Sequence, residues 1–389
     1  MNALGTVAKK LLEFIGASTD SSAAFDGITG AWLAKHWQDL LNMAMHNGVT
    51  SYVHAGLSVK PEQGAEGEAV LIHLRERAFR SAYRNLALRA ELVRLVRAFD
   101  EAGIAVIPIK GPVLADRYYR HPGLREFGDL DFLVSEADRD RAWQLLLRLN
   151  YHSPYQNKDL QNRYHVVFSH RKSEEVVELH WRIAGPQFGC YYRGGFLWEG
   201  AQRVPYLGAS VLQPTIEANL LYLAIHAYKH DWARLQWLLD FPEVLASPGG
   251  VDWDVLDRIA REQHAHRLLR ATLQLVQHLF PDQPGAPAGH ALAAPILSKR
   301  QIRWVMRLLA GPVTDAETLR NFYALRVAMA DSRRDQLRLV VDSLKPSDRD
   351  KELLRLPVAL SSFSIILRPF RLAARLVRGR SRESERRQP

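Results

Sequence analysis

A single cysteine, Cys190, occurs among the 389 residues. One thiol excludes an intramolecular disulfide framework and any cysteine-based structural zinc site. It fits the reducing conditions of the cytoplasm, the expected location. Long apolar runs are lacking too: none approaches the roughly 20 residues that span a bilayer. The opening residues, MNALGTVAKKLLEFIGAS, run apolar and then charged, which is not the order of a secretory signal. They read as the first turns of an amphipathic helix. No internal repeat is apparent. What is present is ordinary for a globular protein, 47% hydrophobic and 24% charged, in a chain long enough for one large or two to three ordinary domains. Charge is the exception. The net charge is +10 and arginine outnumbers lysine, which suits anionic partners such as nucleotides, nucleic acid or membrane headgroups. The excess is uneven, with eight arginines against two glutamates from Leu367 to Pro389.

Hydrophobic periodicity predicts helices over most of the chain. Residues 1–60 read as helical, 59–68 as a loop, and Glu68–Ala102 as a long helix ended by Gly103. That helix carries a row of arginines, Arg75, Arg77, Arg80, Arg84 and Arg89, which is either a solvated face or a binding surface. A short buried strand, Ile104–Ile109, leads to a Lys110-Gly111 turn and a short helix. A second strand carries Asp129-Leu130-Asp131. Residues two apart on a strand share a face, so the two aspartates project together while Leu130 and Phe132 face the core. Paired carboxylates need a cation between them, and magnesium takes hard oxygen ligands together with substrate phosphates. The Lys110 ammonium and the amides near Gly111 lie upstream as phosphate contacts. Arg125 either binds phosphate or pairs with Asp129 or Glu126. Ser135 is expected to cap the next helix. In the hairpin that follows, Glu178 and His180 share a face, and Glu178 is a third metal ligand, a general base or a surface residue. His180 either assists the acceptor or is a satisfied structural group.

Residues 185–208 read as a turn-rich connector and a loop over the site mouth. Beyond Thr215 the chain is helical. His226 and His230, four apart, have the spacing of a zinc pair but no third ligand nearby in sequence. The end of the chain interleaves Phe363, Ile366 and Phe370 with Arg368, Arg371 and Arg375. Such a basic amphipathic segment either contacts anionic membrane or RNA, or packs on its own domain.

Lys110-Gly111, Tyr118-Tyr119, Arg125, Asp129-Leu130-Asp131 and Glu178-Leu179-His180-Trp181, in this order, resemble the uncharacterised nucleotidyltransferase family of the polymerase-beta-like superfold. The superfold usually has Gly-Gly or Gly-Ser where this chain has Lys110-Gly111. The resemblance implies an α+β fold, with a small mixed nucleotidyltransferase-type sheet embedded in a predominantly helical protein. It implies a helical region at 1–67, a catalytic core with its preceding helix at 68–210, a C-terminal helical domain at 211–356, and a basic segment with a disordered tail at 357–389. It also implies a two-metal-ion enzyme that uses magnesium, or manganese in its place, with Asp129, Asp131 and Glu178 as catalytic ligands and Glu178 also as base. A nucleoside triphosphate would be gripped by Lys110, Gly111, Arg125, His180 and Lys229, and a nucleotidyl group passed to a small molecule, glycan or peptide. Phosphotransfer at the same site, in tailoring a peptide or polysaccharide, is one alternative. A catalytically silent protein binding nucleotide, RNA or membrane is another.

Overall fold

The computed structural model describes residue 11 and residues 30–58, 64–155, 163–173, 175–185, 188, 194–311 and 324–344. The opening amphipathic helix apart from Leu11, and the basic C-terminal segment, lie outside them.

Apolar spacing in the first third of the chain produces α1 (Gly30–Asn47), α2 (Thr50–Ser58) and the long α3 (Gly64–Glu101). α3 begins inside the stretch expected as a loop, because the alanines and glutamates after Gly64 are strong helix formers. Its end is closed by Gly103 at φ +62°, and the Ile104 amide bonds back to the Phe99 carbonyl at 2.9 Å. Next come β1 (Val106–Ile109), α4 (Gly111–Tyr118), β2 (Asp129–Val134) and α5 (Arg139–Arg148), then β3 (Tyr151–His152), β4 (His165–His170) and β5 (Val176–His180). Ser135 does not cap α5. Its Oγ accepts the Asp138 amide at 3.0 Å and shapes the turn before the helix.

The five strands form one mixed sheet in the order β1-β2-β5-β4-β3, with β2 and β5 parallel and the other neighbours antiparallel. The fold is α+β, a small mixed sheet in a mainly helical protein. Alternation gives the sheet two different faces. Leu130, Phe132, Val177, Leu179 and Phe168 pack against Leu92, Leu95 and Phe99 of α3 and Trp143 of α5. Ile107, Ile109 and Leu133 turn the other way and join the core of the C-terminal helices.

The 185–208 connector differs from expectation. Phe196 and Leu197 are buried in the core, and β6 (Gln202–Tyr206) pairs with β7 (Ala209–Gln213). The two-residue turn between them, Leu207-Gly208, has φ of +46° and +76°, the mirror-image geometry that suits a twisted hairpin. Then follow α6 (Ile216–Lys229), capped by the Thr215 hydroxyl on the Ala218 amide at 3.2 Å, and α7 (Leu235–Leu245). α8 (Trp253–Glu262), α9 (His266–Leu279), α10 (Lys299–Ala310) and α11 (Arg333–Leu344) follow. Among the described residues no helix is long and apolar enough to cross a membrane.

Between α6 and α7, Asp231 and Trp232 both adopt positive φ, +57° and +52°. Each costs about 1–2 kcal/mol for an L residue. The fully buried Trp232, whose indole N–H donates to Thr272 Oγ1 at 2.9 Å, offsets this. The turn swings α7 back so that Asp240, wholly buried, meets the segment before β2. Arg125 donates to it through Nε at 2.8 Å and Nη2 at 2.9 Å, and the Tyr119 hydroxyl adds a third bond at 2.5 Å. Arg125 therefore pairs with neither Asp129 nor Glu126. The Glu126 carboxylate instead accepts the Ser51 amide at 3.1 Å, at the start of α2.

Truncating Asp240 to Ala would leave a buried guanidinium without its partner. Such a loss destabilises by roughly 3–5 kcal/mol, so the urea midpoint of Asp240→Ala should fall steeply. The double variant Arg125→Met/Asp240→Leu should recover much of that loss. Equal midpoints for Asp240→Ala and the parent would contradict the assignment.

Candidate active site

The alternation of β2 sends Asp129 and Asp131 to the face opposite Leu130 and Phe132. The parallel ladder then places Glu178 of β5 directly beside Asp131. His180, two residues on, shares the face and its Nε2 lies 3.1 Å from both Asp131 Oδ1 and Glu178 Oε2. Lys110 completes the cluster, with Nζ 3.0 Å from Asp131 Oδ1. To reach that place Lys110 takes φ +63° and ψ −147°, a conformation almost confined to glycine and usually held only where surrounding structure enforces it. Gly111 follows at φ +52° and starts α4. Pro112 has no N–H, so the helix start offers amides only from Gly111 and Val113 in its first three residues.

Asp131 is 3% exposed, and its Oδ2 is buried without a hydrogen bond. Burial alone would raise its pKa, yet Lys110 and then His180 hold it well below the usual carboxylate range. Lys110 is raised in turn: burial opposes its charge, and Asp131 together with the other acidic groups around it, Tyr222, Asp129 and Glu178, overrides that. Among the described residues Asp129 has no direct cationic partner. The neighbouring Asp131 charge, then burial, push it up to about 6. Burial pushes Glu178 up, but the His180 hydrogen bond and the His180 and Lys110 charges together bring it below its ordinary value. The His165 ring stacks on His180 at 4.9 Å and is driven down to about 3, by burial first and His180 second.

The opposite wall is α6. Lys229 donates to the Ile183 carbonyl at 2.8 Å and sits over the Tyr164 ring at 4.6 Å. Its pKa drops to about 7, through burial and then repulsion from Lys110. His226 and His230 face each other edge-on at 4.9 Å, and among the described residues no third metal-ligating side chain gathers with them. Sheet and helix enclose a cleft of about 560 Å3 lined by Lys110, Gly111, Asp129, Asp131, Glu178 and Lys229, among others. Arg125 lies at its edge, with Nε and Nη2 committed to Asp240. A larger cleft, about 650 Å3, lies between the β6–β7 hairpin and the turn before α8. Its Glu217 and Asp252 are engaged in helix-end hydrogen bonds, so it offers little chemistry.

Ligand atoms of Asp131, Glu178 and His180 come within 4.8 Å of one another. That group contains His180, whereas the sequence pointed to Asp129 as the third member. The carboxylates are hard oxygen donors, and the unpartnered Asp131 Oδ2 is an acceptor with nothing yet to accept from. These carboxylates fit a divalent cation. Asp240 and Tyr222, which is buried and feels the same charges, were not apparent in the sequence. Asp240 had a signal: it is the lone aspartate in the apolar helix LQWLLDFPEVL, and a buried acid requires a partner.

Because the Asp129 pKa is raised from 3.8 to about 6, the fold favours its neutral form. Stability from that form is complete below pH 4 and is lost as pH rises through 6. With chelator present, Asp129→Asn should therefore be more stable than the parent at pH 8 by roughly 1–3 kcal/mol. The gap should close near pH 4. A lower urea midpoint for the variant at pH 8 would contradict the like-charge pairing.

Residues 34–281 match the family described as an uncharacterised nucleotidyltransferase. No curated protein matches the chain. A solved structure similar to part of it is that of the antibiotic-resistance factor ANT(2'')-Ia, at 16% identity and a TM-score of 0.33, over 46% of this chain and 95% of that one.

Proposed function

The chain belongs to the uncharacterised nucleotidyltransferase family, and we propose that it moves a nucleoside monophosphate from a nucleoside triphosphate to an acceptor hydroxyl or phosphate. The acceptor oxygen forms the new bond to the α-phosphorus, the bridging bond to the β-phosphate breaks and pyrophosphate leaves; a hydroxyl acceptor releases its proton to solvent, whereas a phosphate oxyanion has none to lose. The observation that carries this reading is the buried Asp131 carboxylate, ladder-paired with Glu178, one oxygen unpartnered, on the wall of a cleft with two lysines.

Asp129, Asp131 and Glu178 would hold magnesium, or manganese in its place. When bound, the ion supplies charge neutralisation at the reacting phosphate oxygens. His180 positions the ligands, since its Nε2 touches Asp131 and Glu178 together. Ligand suits Glu178 better than base, because its lowered pKa makes it a weaker proton acceptor. Lys110, bound to Asp131 in the free protein, supplies the cation for the triphosphate, aided by the amides of Gly111 and Val113. Lys229 supplies a second cation from the opposite wall. Electrostatic stabilisation of this kind is usually the largest contribution to phosphoryl transfer. All three carboxylates being present speaks against a silent binding protein.

Thermal shifts with each nucleoside triphosphate, with and without magnesium, test the site. A ligand at about 100 times its Kd stabilises by roughly 2.7 kcal/mol. A magnesium-dependent rise should appear in the parent and vanish in Asp129→Ala/Asp131→Ala. No rise with any triphosphate in the parent would refute the reading. Lys229 gives a second test. With a pKa near 7 it is largely neutral at pH 8, and the negative charge of a triphosphate beside it would raise that pKa. Nucleotide binding at pH 8 should take up protons, seen as a buffer-dependent enthalpy in titration calorimetry, and Lys229→Met should abolish the uptake.

A further inference from the structure

Beside the catalytic cleft runs a second groove of about 420 Å3, and its charge is one-sided. Arg77, Arg80 and Arg84 enter it from α3 and Arg234 from the start of α7, against a single lining carboxylate, Glu126. On a helix, positions i, i+3 and i+7 share one side, which brings the three α3 arginines into a row. Glu126 feels the Arg77 charge but balances the four only in part. Its carboxylate accepts the backbone amides at the start of α2, including Ser51 at 3.1 Å. Arg80 meets Glu76 at 3.6 Å in a well-exposed pair, worth little in water. Among the described residues, no carboxylate forms an ion pair with Arg77, Arg84 or Arg234.

The groove and the cleft are contiguous. Glu126, Phe127, Gly128, Arg234 and Gln236 line both, and Gly128 immediately precedes Asp129. The Arg84 guanidinium lies over Gly128, with Nη1 3.6 Å from where a Cβ would stand. A group held by Arg84 would thus be one residue along the chain from the candidate metal ligands. Lys110 and Lys229, the cations proposed for the triphosphate, are absent from the groove lining. Four arginines against one lining carboxylate suit a multiply charged oxyanion, because the planar guanidinium fork matches phosphate bidentately.

We propose that this groove is the acceptor subsite and that the acceptor carries a phosphomonoester, bound chiefly by Arg77 and Arg84. The inference rests on the nucleotidyl-transfer reading for its meaning, though binding in the groove can be measured without turnover. The phosphate could also be the tail of the nucleotide itself, and the test separates the two.

Titration calorimetry on the full chain would use glucose 1-phosphate and inorganic phosphate, with glucose as the uncharged control. The proposal expects both phosphates to bind, glucose not to, and Arg77→Gln/Arg84→Gln to weaken them at least tenfold. Both arginines are exposed on α3, so the variant should keep the parent melting temperature. Saturating magnesium-ATP should leave phosphate binding in place, and its thermal shift should persist in the variant. Unchanged phosphate affinity in the variant would overturn the proposal, as would competitive displacement by magnesium-ATP, or absence of phosphate binding in the parent. Phosphate binding that depends on the arginines, with no magnesium-ATP shift in the parent, would support the groove as a phosphate site while refuting the proposed function.

Discussion

A carboxylate taken out of water stays ionised only if charges and donors around it replace the lost solvation. Asp131, at 3% exposure, imposes that requirement on everything near it. Lys110 must reach it, and this fixes the unusual backbone of the turn after β1. His180 must reach it as well, which fixes the register of β5 on β2 and carries Glu178 to its side. Asp129 is left with the cost: it shares the face, has no direct cation, and is pushed toward its neutral form. The cluster is electrostatically incomplete as it stands, and a divalent cation on the carboxylates would complete it.

A second buried pair joins the halves of the protein. Tyr119 and Arg125 belong to the segment between β1 and β2, and both bond to Asp240 on α7. α6 then lies across the carboxylates and contributes Lys229. The sequence reading divided the chain near residue 210, yet the cleft draws on both sides of that line. The left-handed step at Asp231-Trp232 is what lets α6 and α7 fold back and serve it.

Much of this was legible because it depends on short-range periodicity. The alternation in DLDFLV specified which face held the aspartates, and the same rule placed Glu178 with His180. Helix limits set by Gly103 and Thr215 followed from local capping chemistry. What was not legible depends on separation in sequence. Arg125 could be recognised as needing a partner, but nothing near it indicated Asp240. The arginines of α3 could be read as a row, but only the fold puts them next to Gly128. Residues 202–208 read as part of a connector because Pro205, Gly208 and the polar residues obscure a two-stranded alternation.

The one parallel ladder in the sheet has a further consequence, for how the protein comes into being. Neighbours in β4 and β5 are close in sequence, so that hairpin can form early. β2 meets β5 only by closing a long loop, with Asp131 and His180 49 residues apart. Arg125 must wait for a partner 115 residues on. Contacts of such separation form slowly, because the entropy of loop closure precedes their reward. A nascent chain would therefore carry its carboxylates unassembled through much of its synthesis, and acquire a working centre only after α7 has left the ribosome.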